Sequence, residues 1–208
     1  KTATVTVASN DPDTPSVAVP VTVTGVDSGA PVISAFVIPA TVKTKTIPFT
    51  TLTATDNVAI TGWMVTETST PPVAGSAGWL ATKPTGYAVT TNGSKTIYIW
   101  AKDAAVNVSA PMQATTSVQI PNLTLSVSGP GSVSSFPAGI SCSSGTCSSL
   151  FDDSTGVTLT ALPGTLATFT GWGGACTNLS GTCALSMTAD KTVTATFNLA
   201  PKAKIGSA

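Results

Sequence analysis

The sequence predicts an all-β chain built from small tandem domains, and three observations carry that prediction. Only 9% of the 208 residues are charged, Thr and Ser fill most polar positions, and 18 Gly and 15 Pro punctuate the chain. Helix formers are therefore scarce and strand and turn formers plentiful. Apolar residues recur at every second position in run after run, the period of a strand with one buried face. Four cysteines form two tight pairs, Cys142 with Cys147 and Cys176 with Cys183, between short strand-like runs. The chain has room for two domains of about 80 to 100 residues, each able to bury a core.

Residues 1–25 read as a β-hairpin. Ala3, Val5 and Val7 share one face of the first strand; Val17, Val19, Val21 and Val23 share another in the second; Asn10-Asp11-Pro12-Asp13 makes the turn. A lone two-stranded hairpin is marginal in water and this one exposes a row of valines. It is expected either to end a domain that begins upstream or to complete a sheet in a neighbouring copy by strand addition. Pro20 lacks a donor, which places its part of the strand at an edge or bulge. Residues 26–30 read as a linker, and a second unit runs from 26 to 120 once that linker is included. Its strands are expected at 32–38, 46–55, 60–67, 87–90, 95–102 and 112–120, a spacing that argues for an immunoglobulin-like β-sandwich. In the strand around Trp100, Ile97, Ile99 and Ala101 occupy one face and Tyr98 and Trp100 the other, so both faces are apolar. The second face must lie under a loop such as 71–86, which carries Trp79, or against another molecule. Val5, Val7, Val17, Val19, Val21, Tyr98 and Trp100 are accordingly the candidate interface residues.

The third unit, 121–199, has strands expected near 123–128, 157–162, 166–171, 182–187 and 191–197, with Gly129-Pro130-Gly131 and Gly171 to Gly174 as turns. Residues 200–208 read as a polar tail, and the chain as a mature or trimmed product that continues beyond Ala208. Cys142 and Cys147 are separated by four residues and Cys176 and Cys183 by six. Pairing near neighbours suits the geometry of a disulfide, whereas a four-thiolate zinc site usually asks for gaps of about two to four. Two disulfides place the chain in an oxidising compartment.

Three stretches carry resemblances. The turn SNDPDTP between valine-rich strands resembles the closing hairpin of Ig-like repeats in bacterial surface proteins of the choice-of-anchor and hydin-like kind. The run DNVAITGWMVTET, the Gly78-Trp79 pair and GSKTIYIWAKDAAVNVS resemble an Ig-like repeat found in tandem in large bacterial extracellular proteins. The order GSVSSFPAGISC … VTLTALP … FTGWGGAC … GTCALSMTADKTVTATF, with its Gly171-Trp172 turn and paired cysteines, resembles the divergent internalin-type B repeat. These resemblances imply a spacer or display module of a secreted or surface protein without chemistry of its own.

The chemistry of the chain points the same way. His is absent, which removes the usual general base and the commonest metal ligand. The Ser residues have no base to activate them, the Gly clusters open no helix, and Glu67 is the single glutamate. Net charge is +0, with nine Lys and no Arg, so neither nucleic acid nor an anionic membrane is favoured, and no run is long enough for a membrane span. Asp56, Asn57, Asp103 and Asn107 fall at strand ends where loops could meet around calcium, although turn capping accounts for such residues more simply. Asp152 and Asp153 are expected to diverge on a strand. Trp63, Trp79, Trp100 and Trp172 could stack against sugars but suit a core better. The expected protein is thus a non-catalytic, extracellular structural segment, a stalk, fibre or adhesin, with no cofactor or metal. Its expected partners are other copies of itself or other surface proteins, with glycans as a further candidate. The alternative is a carbohydrate-binding accessory region of a larger secreted enzyme.

Overall fold

The computed structural model describes residues 2–8, 10–13, 16–22 and 25–200. The chain is all-β, with two disulfides. No helix among the described residues is long and apolar enough to cross a membrane. The strands are β1 (Thr2–Ala8), β2 (Ser16–Thr22), β3 (Val32–Val37), β4 (Thr41–Val42), β5 (Thr46–Pro48), β6 (Thr51–Thr55), β7 (Ile60–Thr66), β8 (Gly86–Ala88) and β9 (Gly93–Asp103). There follow β10 (Met112–Val118), β11 (Asn122–Ser128), β12 (Gly131–Phe136), β13 (Ser141–Cys142), β14 (Gly145–Leu150), β15 (Thr155–Pro163), β16 (Ala167–Gly174), β17 (Thr182–Met187) and β18 (Lys191–Leu199). Two compact units emerge: Lys1–Ala35 with Leu52–Lys83 and Tyr98–Met112, and Phe36–Thr51 with Pro84–Ile97 and Gln113–Ala208.

In the first unit β1 and β2 pair antiparallel, with Val5 opposite Val19 and Val7 opposite Val17. Directly opposed residues point to the same side of a ladder, so Val5, Val7, Val19 and Val21 share one face rather than two. Asp11 Oδ1 accepts the Asp13 N–H at 3.0 Å and shapes the turn. Further on, β7 pairs antiparallel with β9, setting Met64 across from Trp100 and Trp63 across from Ala101. Both faces of β9 are filled: Ile99, Trp100 and Ala101 are all buried. The loop 71–86 reaches back to β7 through paired backbone bonds between Trp63 and Leu80, 2.8 and 2.7 Å. A Cβ at Gly78 in that loop would stand 3.5 Å from Met64 Cε, on the Met64–Trp100 face.

In the second unit β4 runs parallel to β10 and β5 antiparallel to β8. Phe36 and Phe49 meet edge to face at 5.0 Å, and Ile47, Ile97, Val118 and Ile120 are sealed from solvent. Asn92 brackets Ile120, its Nδ2 donating to Ile120 O and its Oδ1 accepting the Ile120 N–H. Residues from 122 onward form two four-stranded sheets, β14-β11-β18-β16 and β13-β12-β15-β17. Between them lie Leu123, Leu125 and Val127, Val157, Leu159 and Ala161, and Val193, Ala195 and Phe197, every second residue of β11, β15 and β18.

Several expectations need correction. The 46–55 strand is split by Phe49 and Thr50 into β5 and β6, and β4, β12, β13 and β14 were not foreseen. Gly171 to Gly174 are not a turn: they belong to β16, paired with β18 through a bulge between Phe169 and Gly171. Glycine is needed at both ends of this run: Gly171 beside the bulge has φ +150, and Gly174 at the end of the strand has φ +77, where a Cβ would run into Thr192 O. Asp152 and Asp153 follow the end of β14 rather than lying in a strand. Asp152 Oδ1 accepts the Lys45 N–H at 2.6 Å, and Asp153 N donates to Lys43 O while its carboxylate stands 3.9 Å from Lys43 Nζ.

Candidate functional site

The cysteines pair as near neighbours. Cys142–Cys147 links β13 to β14 and Cys176–Cys183 links the loop after β16 to β17, with Cα separations of 6.0 and 6.1 Å. Cys142, Cys176 and Cys183 are buried in the core between the two sheets, so each bridge is also a packing element.

The candidate interface residues do not form one surface. Val5, Val7, Val19 and Val21 stand 37–53% exposed on the hairpin. The side chain of Val17 lies outside the described residues. Trp100 is corrected: it is 1% exposed and its Nε1 donates to Thr66 Oγ1 at 3.0 Å, so it belongs to the core of its own chain. Tyr98 is half-buried beside it. Both lie on the face that was expected to need a cover, and loop 71–86 approaches that face at Met64, across the ladder from Trp100.

Nor do the tryptophans assemble into a platform. Trp63, Trp100 and Trp172 are buried. Trp172 Nε1 donates to Ser180 O at 2.8 Å, and its ring meets Phe169 at 5.1 Å. Trp79 is half-buried, its Nε1 bonded to Val73 O and its ring under Lys102 Nζ at 4.8 Å. An open groove of about 700 Å³ in the second unit is lined by Lys43, Asn92, Gln119, Pro121 and Asp190 among others. Asp190 is already engaged there by the Asn122 N–H.

The residues that converge most closely are acidic. Asp27, Asp56 and Asp103 each place a carboxylate oxygen within 4.8 Å of the others. Asp27 comes from the 26–30 linker, Asp56 from the end of β6 and Asp103 from the end of β9. Asn57 and Asn107 join them. Asn57 Nδ2 donates to Asp27 Oδ1 at 2.8 Å, and Asn107 Nδ2 donates to Asp103 Oδ2 at 2.7 Å and to Asp27 O at 3.2 Å. A Cβ on Gly29 would stand 2.7 Å from Asn57 Oδ1, so any other residue there would push the Asn57 amide aside. Burial opposes ionisation of Asp103, yet hydrogen bonds from the Asn107 amide and backbone, from Ala105 N and from its own N outweigh it and hold the carboxyl below the ordinary aspartate range. Val106, between these donors, has φ +65, a strained setting for a β-branched residue. The four residues singled out in the sequence are thus brought together. Asp27 was missed because nothing local separates an Asp that joins a cluster from an ordinary linker Asp.

Residues 122–201 match the Divergent InlB B-repeat domain family. The match covers the two-sheet, two-disulfide part of the chain and leaves the preceding strands unassigned. No curated protein matches the chain.

Proposed function

We infer that this chain is a non-catalytic structural segment of a bacterial cell-surface or secreted protein, in which β-domains in tandem serve as a stalk, fibre or adhesin element. The B-repeat match and the two disulfides support an extracellular setting. The immunoglobulin-like reading of residues 26–120 rests on the number and spacing of the strands.

The observation that carries an assembly role is the hairpin. It is a two-stranded sheet with Val5, Val7, Val19 and Val21 exposed on one face. A seven-residue strand without proline, β1, forms one edge, while β2 on the other carries Pro20, which has no backbone donor. A short sheet with an apolar face gains both backbone partners and cover by adding a strand from another copy. We assign β1 as the receiving edge.

Sedimentation equilibrium of the full chain tests this. Concentration-dependent dimers or longer assemblies are expected for the native chain, and Val5→Lys with Val19→Lys should return it to monomer without changing its melting temperature. A native chain that stays monomeric at roughly millimolar concentration, where weak strand addition would register, would refute self-assembly.

A further inference from the structure

We propose that Asp27, Asp56 and Asp103 form a calcium site that fastens the 26–30 linker to the loops following β6 and β9. The geometry comes first. Two oxygens bound to one calcium at ~2.4 Å can be no more than about 4.8 Å apart, and one oxygen from each of the three carboxylates meets that limit against both others.

An independent observation singles out one atom. Asp56 Oδ2 accepts the N–H groups of Val58 and Ala59 at 3.0 and 2.9 Å, as a turn-capping aspartate does. Its other oxygen, Oδ1, has essentially no solvent-exposed surface and receives no hydrogen bond. A carboxylate oxygen shut away from water with no donor lacks the partner that its charge requires. Capping accounts for half of this side chain only.

Counter-charge is missing as well. Among the described residues no lysine ion-pairs with Asp27, Asp56 or Asp103. Lys102, next in sequence to Asp103, is turned to Ala74 O at 2.7 Å and to the Trp79 ring, and Lys83 is bonded to Leu52 O. Three carboxylates without a cationic side chain set a site for a cation from solution.

The donors are all oxygen, with no His or Cys nearby, which selects a hard ion over zinc or copper. Ligands drawn from three separate loops, one of them a linker, suit the adaptable coordination of calcium better than the strict octahedron of magnesium. The site is independent of the assembly role inferred for the hairpin, and either can fail without the other.

The test uses the full chain stripped with a chelator and titrated calorimetrically with calcium chloride or magnesium chloride, alongside thermal melts. One calcium per chain is expected, with a dissociation constant in the range of extracellular calcium modules, roughly 0.1 to 1 mM. Saturating calcium should raise the melting temperature by roughly 5 °C or more. Asp56→Asn should weaken calcium at least about tenfold, because ligand charge tunes affinity. Without calcium it should melt no lower than the parent chain, which separates ligand loss from damage to the fold. Asp27→Asn, a change in the linker, serves as the second variant should Asp56→Asn misfold. Absence of both heat and melting shift at roughly ten times that concentration range would overturn the site, as would unchanged affinity in a folded Asp56→Asn chain. An equal response to magnesium would overturn the assignment to calcium.

Discussion

Replacing each cysteine pair by alanine tests whether the bridges hold residues 122–200 together. The Cys142–Cys147 ring spans a sequence separation of 5 and the Cys176–Cys183 ring one of 7. Counting six and eight residues in the closed loops, chain entropy assigns about 2.2 and about 2.5 kcal/mol to them. Burial adds to this. Cys183 is fully sealed and Cys176 nearly so, whereas Cys147 only packs against the edge of the core. Losing the buried sulfurs leaves space that costs about 1 kcal/mol more in the second pair. Cys176→Ala with Cys183→Ala should therefore cost about 3.5 kcal/mol and Cys142→Ala with Cys147→Ala about 2 to 3.

An 80-residue domain has about 4 to 12 kcal/mol in all, so losing both bridges removes much or all of its stability. Scanning calorimetry of the full chain should show each pair lowering the transition of this region by roughly 10 to 20 °C, the second pair more. This links fold to location, because a module that melts on reduction is suited to an oxidising compartment. A fall of less than about 3 °C for both pairs, well below the entropy figure, would refute the reasoning. Four titratable thiols in the native protein would do the same.

Three further substitutions isolate single physical effects. Gly129 has φ +85, and a Cβ there would overlap the Phe197 carbonyl; Gly129→Ala should cost more than about 3 kcal/mol by urea denaturation. Val106→Gly relieves a β-branched residue at φ +65 on an exposed loop, and a gain of about 1 kcal/mol is expected once the larger unfolded-state entropy of glycine is subtracted. Thr116 is 2% exposed and its hydroxyl has no hydrogen-bond partner; Thr116→Val should stabilise by about 1 kcal/mol, read as a rise in melting temperature.

What could be read in advance follows from how each residue gains its environment. In β15, Val157, Leu159 and Ala161 alternate with Thr and face one core, so a period of two suffices to place the strand and its inner face. The strands β12 and β14, GSVSSF and GTCSSL, carry too few apolar residues to show a period. They are strands because β11 and β15 supply their backbone partners, which is a property of the neighbours. The glycines of β16 look like a turn because glycine permits both a turn and a bulge; the extended pairing with β18 decides between them.

The same logic separates the two surfaces on which function would rest. The valine face could be anticipated from alternation alone, since a two-stranded ladder has no second layer to hide one side, and only the register was needed to merge two rows into one face. The acidic cluster depends on three loops far apart in sequence, with Asp27 at 29 residues from Asp56 and Asp56 at 47 from Asp103. Each aspartate alone reads as a turn former, and Asp56 does cap a turn with one oxygen. What marks the position as more than a cap is the unpartnered second oxygen, and that property exists only once the linker and both loops have closed around it. Trp100 errs in the opposite direction: a strand apolar on both faces left its second face to a loop such as 71–86 or to another molecule and put Trp100 among the interface residues, whereas Trp100 is 1% exposed and bonded to Thr66 of its own chain. An apolar strand face predicts burial, and which molecule supplies the cover is settled by loops whose own sequences show no periodicity.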